Sequence, residues 1–335
     1  MLVLCSYIWT VNIYTFDELQ NILEESPIVY YQDFLPAPVP CPAYDWCLTD
    51  AIYIENDEPT RYTMTEEETA LYSKADGCFS SNEYALAREI AGQLLNKNAK
   101  LAEAMKLVAR TYALEGNWDK AIKWYQKAID VNFYDFKAHW QKAMMLVMQN
   151  KKGKALQEIT LAKILNRNMD LVDYAFKEIL FQNGHDTTDW YFNPQIQIVK
   201  TCEDTVKILA NPYWLSYGIH EALWLYEPGF HADDRAPEGK FDLMYSLEGF
   251  ESLWDPLINS EVDLNEYPAL DVLVKSIPVK GSKMSKYDSQ YTLEYVLYEM
   301  ALPAFPLASY YWSKDEIQKV QRYILNIRHP KIKKM

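Results

Sequence analysis

Five histidines, His139, His185, His220, His231 and His329, limit where acid–base or metal chemistry can be centred. One neighbourhood gathers carboxylates around imidazole: His220-Glu221, then His231 with Asp233 and Asp234. If the loop carrying His231 folds back onto the helix carrying His220, then His220, His231 and Asp233 would suit a hard or borderline divalent metal, or a general base with its orienting acid. The spacing matches no established ligand pattern, and the same residues also describe a polar loop beside a helix, the commoner arrangement. A Gly-rich phosphate loop, GxSxG and HExxH are all absent. No catalytic residue and no cofactor is therefore assigned. The cysteines (Cys5, Cys41, Cys47, Cys78, Cys202) lack CxxC spacing and most read as buried thiols, with Cys41 and Cys47 able to pair only in an exported protein.

The 335 residues are 49% hydrophobic, and 26 Tyr with 10 Trp stand against 10 Gly, a composition of packed structure rather than disorder. A formal charge of −14 lacks the basic footprint that phosphate backbones need, which argues against nucleic acid as a general partner. The charge is uneven. From Leu86 to Arg167, 15 Lys and Arg face 7 Asp and Glu, a net +8 that leaves −22 for the remainder. These cations are either solvated helix faces or a surface for an acidic partner, the chain's own acidic flanks included.

The start, MLVLCSYIWTVNIY, has neither a basic n-region nor a small-residue cleavage site and is too short to span a bilayer, so it reads as a strand or packed segment. The alternative is the tail of a lipoprotein signal that begins upstream of Met1, with Cys5 lipidated. No other stretch reaches 18 uninterrupted apolar residues, so no transmembrane segment is expected. A cytoplasmic location follows, or a periplasmic or lipid-anchored one if such a signal precedes Met1.

Capping-box patterns at Thr15/Glu18, Thr65/Glu68 and Ser313/Glu316 each predict a helix start. Between the first two, five prolines from Pro27 to Pro42 predict an extended, packed loop, and Asp50–Thr63 reads as irregular. From Thr65 onward the pattern becomes helical in pairs, with Ser81 a cap candidate for the second helix. Asn193-Pro194 predicts a helix to about Leu209, and PYWLSYGIHEALWLYEPGF another that ends before Pro228. TLEYVLYEMAL and SKDEIQKVQRYILNI read as helices, HADDRAPEG and PVKGSKMSKYDSQ as polar loops, and the tail HPKIKKM as frayed and solvated. No alternating pattern is sustained enough to propose a sheet. The aromatics beyond Trp190 are either core or an exposed platform for sugars or a partner protein; Tyr291, Tyr295 and Tyr298 share one helical stripe, as core residues do.

Three segments repeat one pattern every 34 residues without gaps. Ala87, Ala121 and Ala155 coincide, as do Ala91, Tyr125 and Ile159, then Leu94, Ala128 and Ala162, and finally Asn98, Asn132 and Asn166. Small residues at these positions let helix backbones approach where they cross. The unit resembles the tetratricopeptide repeat, two antiparallel helices per unit. Ala102–Asp135 matches best, through Val108, Ala109, Tyr112, Gly116, Trp118, Ala121, Tyr125 and Ala128. Departures are Lys74, Phe133 where proline is usual, and Lys152 where an aromatic is usual, and DLVDYAFKEILFQNG fits the first half of a fourth unit.

The resemblance covers about a third of the chain and implies an α–α superhelix; with the residues on either side, the expected fold is all-α, the superhelix and its capping helices over 65–209, an irregular N-terminal segment with the Pro-rich loop (1–64) and an aromatic-rich, mostly helical C-terminal region (210–335). It also implies that ligands meet the face lined by each unit's first helix. In that register the partner-binding candidates are Tyr72 and Asp76, Lys106 and Arg110, then Lys137, Trp140, Gln141 and Met144. Of the carboxylate clamp that some family members use, only Lys137 is in place; Tyr72, Asp76, Leu107 and Gln141 depart from it. The expected function is a non-enzymatic scaffold for a protein or peptide, with an acidic segment favoured by Lys106, Arg110 and Lys137 and Trp140 as an apolar anchor. The alternatives are an exported, glycan-binding protein on the same scaffold and, more weakly, an enzyme at His220 and His231.

Overall fold

A computed structural model describes residues 14–41, 47–230, 249, 252–253, 257, 264, 267–276 and 291–332. In chain order, α1 (Phe16–Glu25) and β1 (Val29–Phe34) precede a hairpin of β2 (Tyr53–Glu55) and β3 (Glu58–Thr60). Seven helices follow: α2 (Glu66–Ser80), α3 (Tyr84–Lys97), α4 (Ala102–Leu114), α5 (Trp118–Val131), α6 (Phe136–Met148), α7 (Lys152–Leu165) and α8 (Asp170–Gln182). Then come β4 (Ile196–Cys202), β5 (Thr205–Ala210), α9 (Leu215–Tyr226), α10 (Pro268–Ser276) and α11 (Thr292–Tyr295), the last continuing through a π-helical stretch, Val296–Ala301. The final helix is α12 (Lys314–Tyr323), also followed by π-helical residues, Ile324–Arg328. Among the described residues, 47–188 with 306–332 form one compact unit and 14–41 with 189–305 a second.

In the first unit α2–α7 form three antiparallel helix pairs of tetratricopeptide-like form, stacked in sequence, with α8 beginning a fourth. The alanines at the 34-residue positions are fully buried, so neighbouring helices close on them, and Tyr125 and Ile159 fill the space between pairs. The capping boxes at Thr65 and Ser313 form in both directions, as does that at Thr15 in the second unit. Ser81 ends α2 rather than starting α3, whose first turn has no side-chain cap.

The recurring asparagines end the second helices, at the C-caps of α3, α5 and α7, and also hold a strap that runs along the stack. Asn166 exchanges two hydrogen bonds with the Leu48 backbone (3.0 and 2.9 Å), Asn132 Nδ2 donates to Ile52 O (2.8 Å), and Asn98 Nδ2 donates to Glu68 and to the Tyr62 hydroxyl. The strap is not irregular throughout. Asn56 and Asp57, both at positive φ, turn β2 into β3, a two-residue hairpin of the kind these residue types favour.

The missing second helix of the fourth unit is replaced by the end of the chain. Here α12 packs on α7, with Gln321 Nε2 donating to Gln157 O, and His329 sets its ring edge-on to Phe176 of α8. His185 Nδ1 donates to His329 O at 2.7 Å, and a bridge between His185 and Lys331 completes the closure.

The second unit corrects the expectation of an all-α chain. β5 is the centre of a three-stranded sheet, parallel to β1 and antiparallel to β4. The segment after Asn193-Pro194 is a β-hairpin and not a helix, because Ile196, Ile198, Val206 and Ile208 are β-branched and alternate, with Glu203-Asp204 at the turn. One face of the sheet packs Val206 and Ile208 against Leu19 and Leu23 of α1 and Ile219, Ala222 and Leu223 of α9. The expected strand or packed segment at the start, Cys5, and the two polar loops lie outside the described residues.

Candidate functional site

The first-helix face of the repeat carries the partner-binding candidates, and the structure divides them by what already occupies them. Lys106 on α4 is only 4% exposed: its Nζ lies 2.6 Å from Asp135 Oδ2 and 2.7 Å from Glu103 Oε1. Burial works against its charge, but the two carboxylates outweigh burial and raise its pKa above the usual lysine value. Asp135 meanwhile caps α6 through Oδ1, which accepts from Ala138 N. The expectation of Lys106 as a groove cation for an acidic ligand is therefore corrected: its charge is neutralised inside the protein.

Arg110 stacks on Phe79 (4.1 Å to the ring centroid) and reaches Asp76 at 3.5 Å. Tyr72 is half-buried; burial, then Glu103 and Asp76, raise its hydroxyl pKa. Lys137 faces Asp50 of the strap at 3.8 Å. Part of the expected cationic groove is thus met by the chain's own acidic segment. On α6, Trp140 Nε1 and Gln141 Oε1 are buried without a hydrogen-bond partner among the described residues, while Met144 is exposed.

The larger open surface was not among the residues read from sequence. Met148 at the end of α6 is 55% exposed, and Leu171, Tyr174 (69%) and Phe181 (73%) form a stripe along α8. Tyr174 stands one repeat after Trp140 and Leu171 one repeat after Lys137, so the 34-residue register, continued one unit further, points to them.

The histidine candidates separate. His220 is fully buried on α9, its ring 5.7 Å from that of Phe230 and 5.9 Å from that of Trp224. Next to it, burial pushes the Glu221 carboxyl up to about 8, although Tyr217 donates a hydrogen bond that works the other way. His231 and Asp233 lie outside the described residues. Among the described residues no group of three or more His, Cys, Asp or Glu is placed to hold a metal. Cys41, Cys47, Cys78 and Cys202 are free thiols, Cys41 and Cys202 exposed rather than buried. No described helix is long and apolar enough to cross a membrane.

No protein-family model matches the chain, and no curated protein does. Solved structures with similar folds include the type III secretion chaperone SycD of Yersinia enterocolitica in complex with a peptide of the translocator YopD. It is 17% identical with a TM-score of 0.33, covering 36% of this chain and 97% of that one. The Sgt2 TPR domain from Aspergillus fumigatus is 17% identical (TM-score 0.34; 36% of this chain, 80% of that one). The TPR2B domain of yeast Sti1, in a complex with pHsp70, is 14% identical (TM-score 0.33; 35% and 99%).

Proposed function

We propose that the repeat unit is a non-catalytic scaffold that binds a protein or peptide on its first-helix face, at Tyr72, Asp76, Arg110, Lys137, Trp140, Gln141 and Met144 and their continuation onto α8. One observation carries this reading: large apolar side chains on two successive first helices, Met144 and Met148 of α6 and Leu171, Tyr174 and Phe181 of α8, stay exposed, where packing would have buried them or selection for solubility favoured polar residues. Helices stacked pair on pair hold such a face rigid, so a ligand is bound without ordering its receptor. An acidic segment is the favoured ligand type, because this basic stretch already accepts Asp50 of the strap at Lys137.

The test is affinity purification with the full chain and with a variant carrying Arg110→Glu, Lys137→Glu and Met144→Asp. The expected result is loss of the co-purifying partner with helicity unchanged. Equal recovery by both proteins would remove this face from the account.

A further inference from the structure

The open part of the first-helix face has two chemistries side by side. Met144 and Met148, four residues apart on α6, and Leu171, Tyr174 and Phe181, at three- and seven-residue spacing on α8, present apolar surface. At one end of these helices lie the α6–α7 connection and the first turn of α7, which carry Lys151, Lys152 and Lys154 and rim an open depression with Asn150 and Gly153. This stretch adjoins both helices: Met148 immediately precedes it on α6, and Asn183, just past Phe181, donates from Nδ2 to Lys152 O at 3.2 Å. All three lysines are exposed, and none is ion-paired among the described residues. This contrasts with Lys106, Arg110 and Lys137, each of which has an internal carboxylate.

We propose that α6, α8 and the Lys151–Lys154 stretch dock a short acidic–apolar peptide segment, its large apolar side chains on Met144, Met148, Tyr174 and Phe181 and its carboxylates at the three lysines. The proposal rests on the scaffold reading and names its ligand. Charge selects this occupant: a second copy meeting the same face would bring two sets of lysines together. Methionine supplies adaptable contact area, tyrosine supplies rigid area at low entropic cost, and the unpaired lysines supply orientation, since carboxylates at the wrong end would lose them.

A phage-displayed random peptide library panned against the full chain provides the probe, and selected peptides are then measured by fluorescence anisotropy. Selected sequences should combine Phe, Trp, Leu or Met with Asp or Glu. Tyr174→Ser with Phe181→Ser should weaken binding about tenfold or more, as for central contacts. Charge reversal of Lys151, Lys152 and Lys154 should weaken it about fivefold and flatten its salt dependence. These positions are exposed, so circular dichroism should be unchanged, and Leu171→Ser serves as an independent variant of the stripe. Peptides that bind equally to all variants would overturn this site and leave the scaffold reading in place. A library that yields no binder would overturn both. Binding to phosphatidylserine vesicles, lost with Tyr174→Ser and Phe181→Ser and unmatched by any peptide, would overturn the peptide in favour of a membrane surface.

Discussion

The two units make their cores in opposite ways. In the repeat unit each helix packs on the next in sequence, so one register recurs every 34 residues, alanine at the crossing and, in the second and third units, a larger residue four positions on. In the sheet unit the central strand β5 takes its parallel partner from β1, far earlier in the sequence, and its cover from α1 and α9. Local packing leaves a periodic trace in the sequence, whereas long-range pairing leaves only short alternating runs. The same difference decides where surface is left over: repeats present a face on every unit, and among the described residues parts of it on α6 and α8 stay exposed.

The sharpest way to break this comparison is to cut the repeat at its centre. Tyr125, fully buried between Ala109 and Ala121, should cost about 4 kcal/mol when replaced by Ala, measured by urea unfolding followed through helicity. A loss near zero would mean that the pairs do not share one core. The sheet unit carries the next effect. Because Glu221 has a folded pKa of about 8, above its ordinary 4.5, the folded state binds the proton more tightly. Its stabilising preference for the protonated form is complete at low pH and is lost as pH rises from about 4.5 towards 8, a cost of about 3 kcal/mol at pH 7. Glu221→Gln should therefore flatten stability between pH 5 and 8, and an unchanged profile would contradict the burial of that carboxyl.

A smaller effect tests the strap. Asn132→Ala removes the bonds to Ile52 O and to Tyr134 N and should cost about 1–2 kcal/mol, while raising proteolysis within residues 48–62. The Lys137–Asp50 contact is half-exposed, and Asp50→Asn should change stability by less than about 0.5 kcal/mol.

What was legible follows from the same contrast. The seven helices from Glu66 to Gln182, and the three capping boxes, can be read from sequence because their signals lie within a few residues of each other. The asparagine register is also plain, but its role as an anchor for the strap is not, since the partner backbone at Leu48 and Ile52 carries no side-chain signal. Asn193-Pro194 resembles a helix start in isolation; only the alternation of Ile196, Ile198, Val206 and Ile208 beyond it reveals strands. Within the candidate site, register assigned Lys106 to the first-helix face but could not show that Asp135 and Glu103 neutralise its charge. It stopped short of Tyr174 and Phe181 because α8 had no sequential partner to mark it as a full unit; the residues that meet it, around His329, follow α12, which itself packs on α7.

The central claim, that the first-helix face engages another protein, is tested most directly by photo-crosslinking in cells that naturally express the chain. A benzophenone amino acid is placed at Tyr174, at Met148 and, on the second helix α5, at exposed Lys123. The account predicts the same discrete crosslinked species from positions 174 and 148 and none from 123. Adducts of equal yield from all three positions, or from 123 alone, would contradict it.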